Sequence, residues 1–80
     1  MKFTYPTRQE ARDGDRIKYH GEVGKVEFVA LGGADDPNII WYVQQYPPGG
    51  IMISAEGFGN VFLMLGDEHE DLEFVSRQEP

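Results

Sequence analysis

The stretch Gly66-Asp67-Glu68-His69-Glu70-Asp71 places four carboxylates around one histidine. Three chemistries use such a set: metal ligation, general acid/base catalysis, and electrostatic attraction of a basic partner. A calcium loop needs Asp-x-Asp/Asn-x-Asp/Asn-Gly spacing closed by a glutamate at its twelfth position, and that spacing is absent. Zinc is held by histidine or cysteine; the chain has no cysteine, and the one companion for His69 is His20, far away in sequence. No metal and no cofactor is therefore predicted, and a small enzyme or metal site centred on His20 and His69 ranks third among the alternatives. Acid/base work requires a carboxylate desolvated enough to hold a proton near neutral pH. Adjacent acids in a loop of a small domain offer little such burial. What is left is a solvated loop or a surface that meets a partner.

Other catalytic signatures fail on spacing. Ser54 and Ser76 lie in strand-like runs and neither belongs to Gly-x-Ser-x-Gly, so no nucleophile stands out. "GEVGK" lacks both the spacer and the Ser/Thr of a phosphate loop. "EGFGN" reads as a hairpin turn, with Gly57 and Gly59 at positive-φ positions. No catalytic residue is assigned, and the chain is expected not to be an enzyme.

Charge is distributed unevenly. The 80 residues carry a formal net charge of −7. Residues 1–30 are nearly balanced: Lys2, Arg8, Arg12, Arg16, Lys18 and Lys25 face Glu10, Asp13, Asp15, Glu22 and Glu27. Residues 31–80 set Arg77 alone against Asp35, Asp36, Glu56, Asp67, Glu68, Glu70, Asp71, Glu73 and Glu79. Phosphate backbones are bound by several cations, so the acidic half disfavours nucleic acid and favours a basic protein partner. Without cysteine, an apolar leader after Lys2, or a membrane-length apolar run, a cytoplasmic protein is expected.

The elements that must position these residues are short. "DRIKYH" alternates Ile17 and Tyr19 with Arg16, Lys18 and His20, the period of a half-buried strand. "HGEVG" turns the chain into "KVEFVAL", where Val26, Phe28 and Ala30 oppose Lys25 and Glu27. "GGADDPN" is a loop, and "IIWYVQQY" is the best strand by propensity, ended by Pro47, Pro48, Gly49 and Gly50. "IMIS", "NVFLML" and "LEFVSR" complete five or six antiparallel strands. Helix is confined to one short turn in "TRQEA" or around "DEHED". Eighty residues form one domain, with residues 1–12 as an extension packed on a barrel of residues 13–77. Ile17, Val26, Phe28, Ile53, Val61, Leu63 and Phe74 are its expected core.

So many short strands with no covering helix must curl to bury one face. The opening "DGDRIKYHGEVGKVEFVAL" resembles the first hairpin of the SH3-like barrels, with a Gly-Asp leading a strand, a glycine-bearing turn and a valine-rich return. That resemblance, over residues 13–77, implies an all-β SH3-like barrel and an adaptor of peptides, RNA or proteins. In size, charge and lack of catalytic groups the chain is also similar to the small acidic immunity proteins that bacteria make against their own toxins.

The sequence thus predicts a non-enzymatic acidic protein-binding module, monomeric or weakly dimeric and without membrane contact. Its partner-binding residues are Asp35, Asp36, Asp67, Glu68, Glu70 and Asp71, with Trp41 or Tyr42 as an apolar anchor. Alternate positions along "IIWYVQQY" leave one of the two aromatics exposed unless it packs on Phe3 and Tyr5. The alternative is a nucleic-acid-binding barrel using Arg8, Arg12, Arg16, Lys18 and Lys25.

Overall fold

The computed structural model describes residues 2–33 and 35–77. Its strands are β1 (Arg16–Tyr19), β2 (Glu22–Ala30), β3 (Gly50–Ala55), β4 (Gly59–Met64) and β5 (Leu72–Ser76), with one helix, α1 (Pro37–Gln45). They form a single antiparallel sheet in the order β4-β3-β2-β1-β5, which returns the last strand beside the first. The all-β, barrel-like expectation holds.

The β1–β2 turn is tighter than "HGEVG" suggested. Only His20 and Gly21 lie in it, with φ of 51° and 80°, the positive pair that matches the twist of a two-residue hairpin. Val23 and Gly24 already pair with Lys18 and Ile17. A Cβ on Gly24 would stand 2.3 Å from the Ser54 carbonyl oxygen, so close strand approach explains that glycine. Gly57 and Gly59 do take positive φ, 81° and 71°, in the β3–β4 turn.

Strand β2 changes face partway along. Val26 pairs with Ile53 and Phe28 with Met52, leaving Glu27 as an extra, bulged residue. Beyond it Val29, opposite Ile51, faces the core that Val26 faces. Phe28 was expected in that core. The bulge turns it to the opposite side, where it meets Tyr42 at 5.2 Å between ring centroids.

"IIWYVQQY" is helix, a correction to the strand expectation. The Asp36 carboxylate accepts from the Asn38 N–H at 2.8 Å as N-cap, and Pro37 fits the first helical turn. Ile39, Tyr42, Val43 and Tyr46 then recur at helical spacing. Pro47 and Pro48 stop the helix, because the residue before a proline is driven out of helical geometry. Tyr42 stacks on Phe62 of β4 at 5.3 Å and Tyr46 lies 5.4 Å from the same ring. The helix thereby covers the side of β2–β4 that looks away from the core.

That core holds Phe3, Tyr5, Ala11, Ile17, Val26, Ile51, Ile53, Leu63 and Leu72, with Val61 and Phe74 partly buried against it. Each large aliphatic chain so buried contributes about 1.5–3 kcal/mol. Phe3 and Tyr5 sit inside it, beside His69 and Phe74, so they do not cover Trp41. No helix among the described residues is long and apolar enough to cross a membrane.

Candidate functional site: an acidic-rimmed cleft

The N-terminal segment folds back on itself: the Ala11 N–H donates to the Phe3 carbonyl at 2.8 Å and the Tyr5 N–H to Gln9 at 2.9 Å. Held this way, residues 2–6 form one wall of a cleft of about 430 Å³, and residues 65–70 form the other. Its lining joins the apolar groups of Phe3, Tyr5, Pro6 and Leu65 to three carboxylates, Asp67, Glu68 and Glu70, and to one cation, Lys2, whose Nζ lies 3.9 Å from Glu10. All three carboxylates are exposed.

His69 fastens the acidic wall to the fold. Its ring stacks on Phe3 at 5.5 Å, and its Nε2–H donates to the Met64 carbonyl at 2.8 Å. Asp71 fastens the other end. Its Oδ2 is 3.1 Å from Nδ1 of His20, and its carbonyl accepts the His20 N–H at 3.0 Å. The two histidines serve opposite ends of one loop. Among the described residues no group of three His, Asp or Glu is placed to hold a metal ion.

The predicted partner-binding residues divide accordingly. Asp67, Glu68 and Glu70 rim the cleft, while Asp71 is engaged by His20. Asp36 caps α1, and Asp35 is exposed beside it. Trp41 and Tyr42 meet edge to face at 4.9 Å. Tyr42 is half-buried between Phe28 and Phe62, whereas Trp41 is 49% exposed. Trp41 is therefore the outward aromatic, and its face of the β2–β4 sheet is opposite the core on which the cleft is built. The structure does not join the aromatic pair to the acidic loop.

Three of the basic residues of the alternative, Arg16, Lys18 and Lys25, lie together on the β1–β2 hairpin. Arg8, Arg12, Arg16, Lys18 and Lys25 are all exposed. Arg16 and Lys25 are cross-strand partners in a shallow groove that also includes Glu56, and Lys25 lies 3.7 Å from Glu27.

One constellation was not singled out from the sequence. Asp15 is completely buried, and its Oδ2 accepts from the Tyr5 hydroxyl at 2.6 Å and from the Arg12 N–H at 2.9 Å. Arg77 donates Nε to Oδ1 at 2.9 Å and Nη2 to Oδ2 at 3.2 Å. Nη2 also donates to the Glu10 carbonyl, and the guanidinium lies 5.4 Å from the centre of the Phe74 ring. Burial pushes the Asp15 carboxyl upward, but hydrogen bonds from Arg77, Tyr5 and Arg12 outweigh it and hold the group below its usual range. Burial first, and the Asp15 carboxylate second, push the Tyr5 phenol well above its ordinary value. The signal available in sequence was Arg77, the lone cation of the acidic half.

Comparison with known protein families, curated proteins and solved structures gives no match.

Proposed function

We propose that this chain is a non-enzymatic protein-binding module whose cleft between residues 2–6 and 65–70 receives basic side chains of a partner protein. The observation that carries this is the exposed carboxylate rim of Asp67, Glu68 and Glu70 beside apolar walls. Such a site suits the apolar stem and cationic head of lysine or arginine. The non-enzymatic part is supported by the fate of the two groups with shifted proton affinity: Tyr5 and Asp15 bond each other in a buried node. An immunity-type inhibitor, covering the cationic site of a toxin or nuclease, is a narrower form of the same proposal, as is an SH3-like adaptor.

Changing Asp67, Glu68 and Glu70 together to Asn/Gln tests it against an arginine-rich peptide and a basic protein at two ionic strengths. Association with the wild type should weaken with salt, and the variant should bind more slowly with a flatter salt response. Equal association rates for the two proteins overturn the proposal. Salt-sensitive binding to duplex DNA, lost on changing Arg16 and Lys18 to Glu, would put the nucleic-acid alternative in its place.

A further inference from the structure

The sheet ends in β4 on one side and β5 on the other, and the two are finished differently. Outer strands present unpaired N–H and C=O groups, which proteins ordinarily shield with charge, proline or a bulge. β5 carries Glu73 and breaks register with β1 between Arg16 and Ile17. β4 has none of these devices. Its run Gly59-Asn60-Val61-Phe62-Leu63-Met64 is uncharged and pairs with β3 at all 6 positions without a bulge. Among the described residues no strand or bridge lies on its far side. The direction of its free groups follows from one bond: the Leu65 N–H donates back to the Gly49 carbonyl at 2.8 Å, and antiparallel ladders alternate. With Asn60 opposite Ser54, Phe62 opposite Met52 and Met64 opposite Gly50, the backbone groups of Asn60, Phe62 and Met64 point away from β3. His69 already occupies the Met64 carbonyl, so the open edge stops where the acidic loop begins. Beside that edge Phe62 and the exposed Tyr46 form an aromatic shelf, their ring centroids 5.4 Å apart.

We propose that the outer edge of β4 receives an extended segment of a basic partner protein as an added strand, its backbone pairing with Asn60 and Phe62 and a cationic side chain at its end reaching Asp67 and Glu68. Charge selects that occupant. Along β4 itself no charge opposes a strand, while Asp67 follows Met64 after only Leu65 and Gly66, at most about 10 Å of chain. A lysine or arginine opposite the end of β4 is therefore carried to the acidic rim. A second copy, pairing antiparallel through the same edge, would set the turn that bears its own Glu56 beside these acids. An anionic segment meets the same repulsion. The added strand would also lay alternate side chains beside Phe62 and Tyr46 on one face and beside Val61 on the other. This inference deepens the basic-partner reading and rests on it for the charge of the segment; the backbone pairing stands on the sheet edge alone.

A peptide as long as β4, alternating valine and threonine with arginine at each end, tests this on the whole chain. At saturation it should slow hydrogen exchange of the Asn60, Phe62 and Met64 amides by about tenfold or more, read by NMR. Alternate amides of a strand face one neighbour. N-methylation of one alternate set of peptide residues should therefore weaken binding by about tenfold or more, and of the other set by less than about twofold. Equal effects of the two sets overturn the proposal. So does bound peptide that leaves the three amides unprotected, and so does a lack of binding at about 1 mM. Protection of the same amides on raising protein concentration without peptide gives the edge to a second copy and overturns it too. Replacing both arginines by glutamine separates this inference from the reading it deepens. Weaker binding that no longer responds to salt upholds both; unchanged binding with the amides still protected upholds the added strand while the basic-partner reading falls.

Discussion

Asp15 with Arg77 and the loop from Gly66 to Asp71 both gather charge, but water treats them differently. Asp15 is sealed from solvent, with one donor on Oδ1 and three on Oδ2, and its partners come from residues 5, 12 and 77. The loop holds more carboxylates in fewer residues, yet three of them point into water around a cleft. Density of charge along the chain therefore does not locate the energetically important charge. Desolvation does, because an ion removed from water is tolerable only while its partners stay in place.

The contrast can be broken most forcefully at Arg77. Arg77→Ala would leave the Asp15 carboxylate buried without its cation, a change that costs about 3–5 kcal/mol in comparable sites. That approaches the entire stability of a domain this small, so thermal melting should find the variant largely unfolded at room temperature. A melting temperature within a few degrees of the wild type would deny the node its role.

Tyr5→Phe should cost about 1.5–3 kcal/mol, the usual value of a hydrogen bond to a charged group. The node should also limit stability at both ends of the pH scale. Asp15 ionises more readily when folded, so its contribution is complete above the unfolded value of about 3.9 and disappears as pH falls through the lower folded value. Tyr5 shows the opposite sign. Its contribution is complete below about pH 10 and is lost as pH rises above that. Denaturant titrations across pH should show both losses, with Tyr5→Phe removing much of the alkaline one.

Smaller effects belong to the acidic residues on the surface. Asp36→Ala removes the cap of α1 and should lower stability by about 1 kcal/mol, measurable in urea. Neutralising Asp67, Glu68 and Glu70 should change stability by less than about 0.5 kcal/mol. A larger loss there would mean that the loop, like the node, supports the fold.

Much of the sheet was legible in the sequence, because period-two alternation and glycine-marked turns are local signals. Ile17, Val26, Ile53 and Leu63 lie in the core as expected. The region from Pro37 to Gln45 was misread because β-branched and aromatic residues favour strands only in the absence of a stronger instruction. Asp36-Pro37 is such an instruction, a capping residue followed by a proline suited to the first helical turn. Phe28 was misplaced for another reason: alternation has no mark for a bulge, which depends on how β3 pairs with β2. The cleft was half visible. Its acidic rim is contiguous in sequence, whereas Phe3 and Tyr5 reach it only through the fold, as does the closing of Asp15 by Arg77.

The bulge at Glu27 bears on which genetic changes the chain can absorb. Because Glu27 stands outside the ladder, Val26 and Phe28 meet the consecutive partners Ile53 and Met52 although they are two apart in sequence. Replacement of Glu27 would disturb a surface contact with Ser54. Its deletion would leave Val26 and Phe28 consecutive opposite Ile53 and Met52, a regular ladder with Phe28 and Val29 on the faces they already occupy, whereas loss of a paired residue such as Phe28 would exchange the two apolar compartments for the residues beyond it.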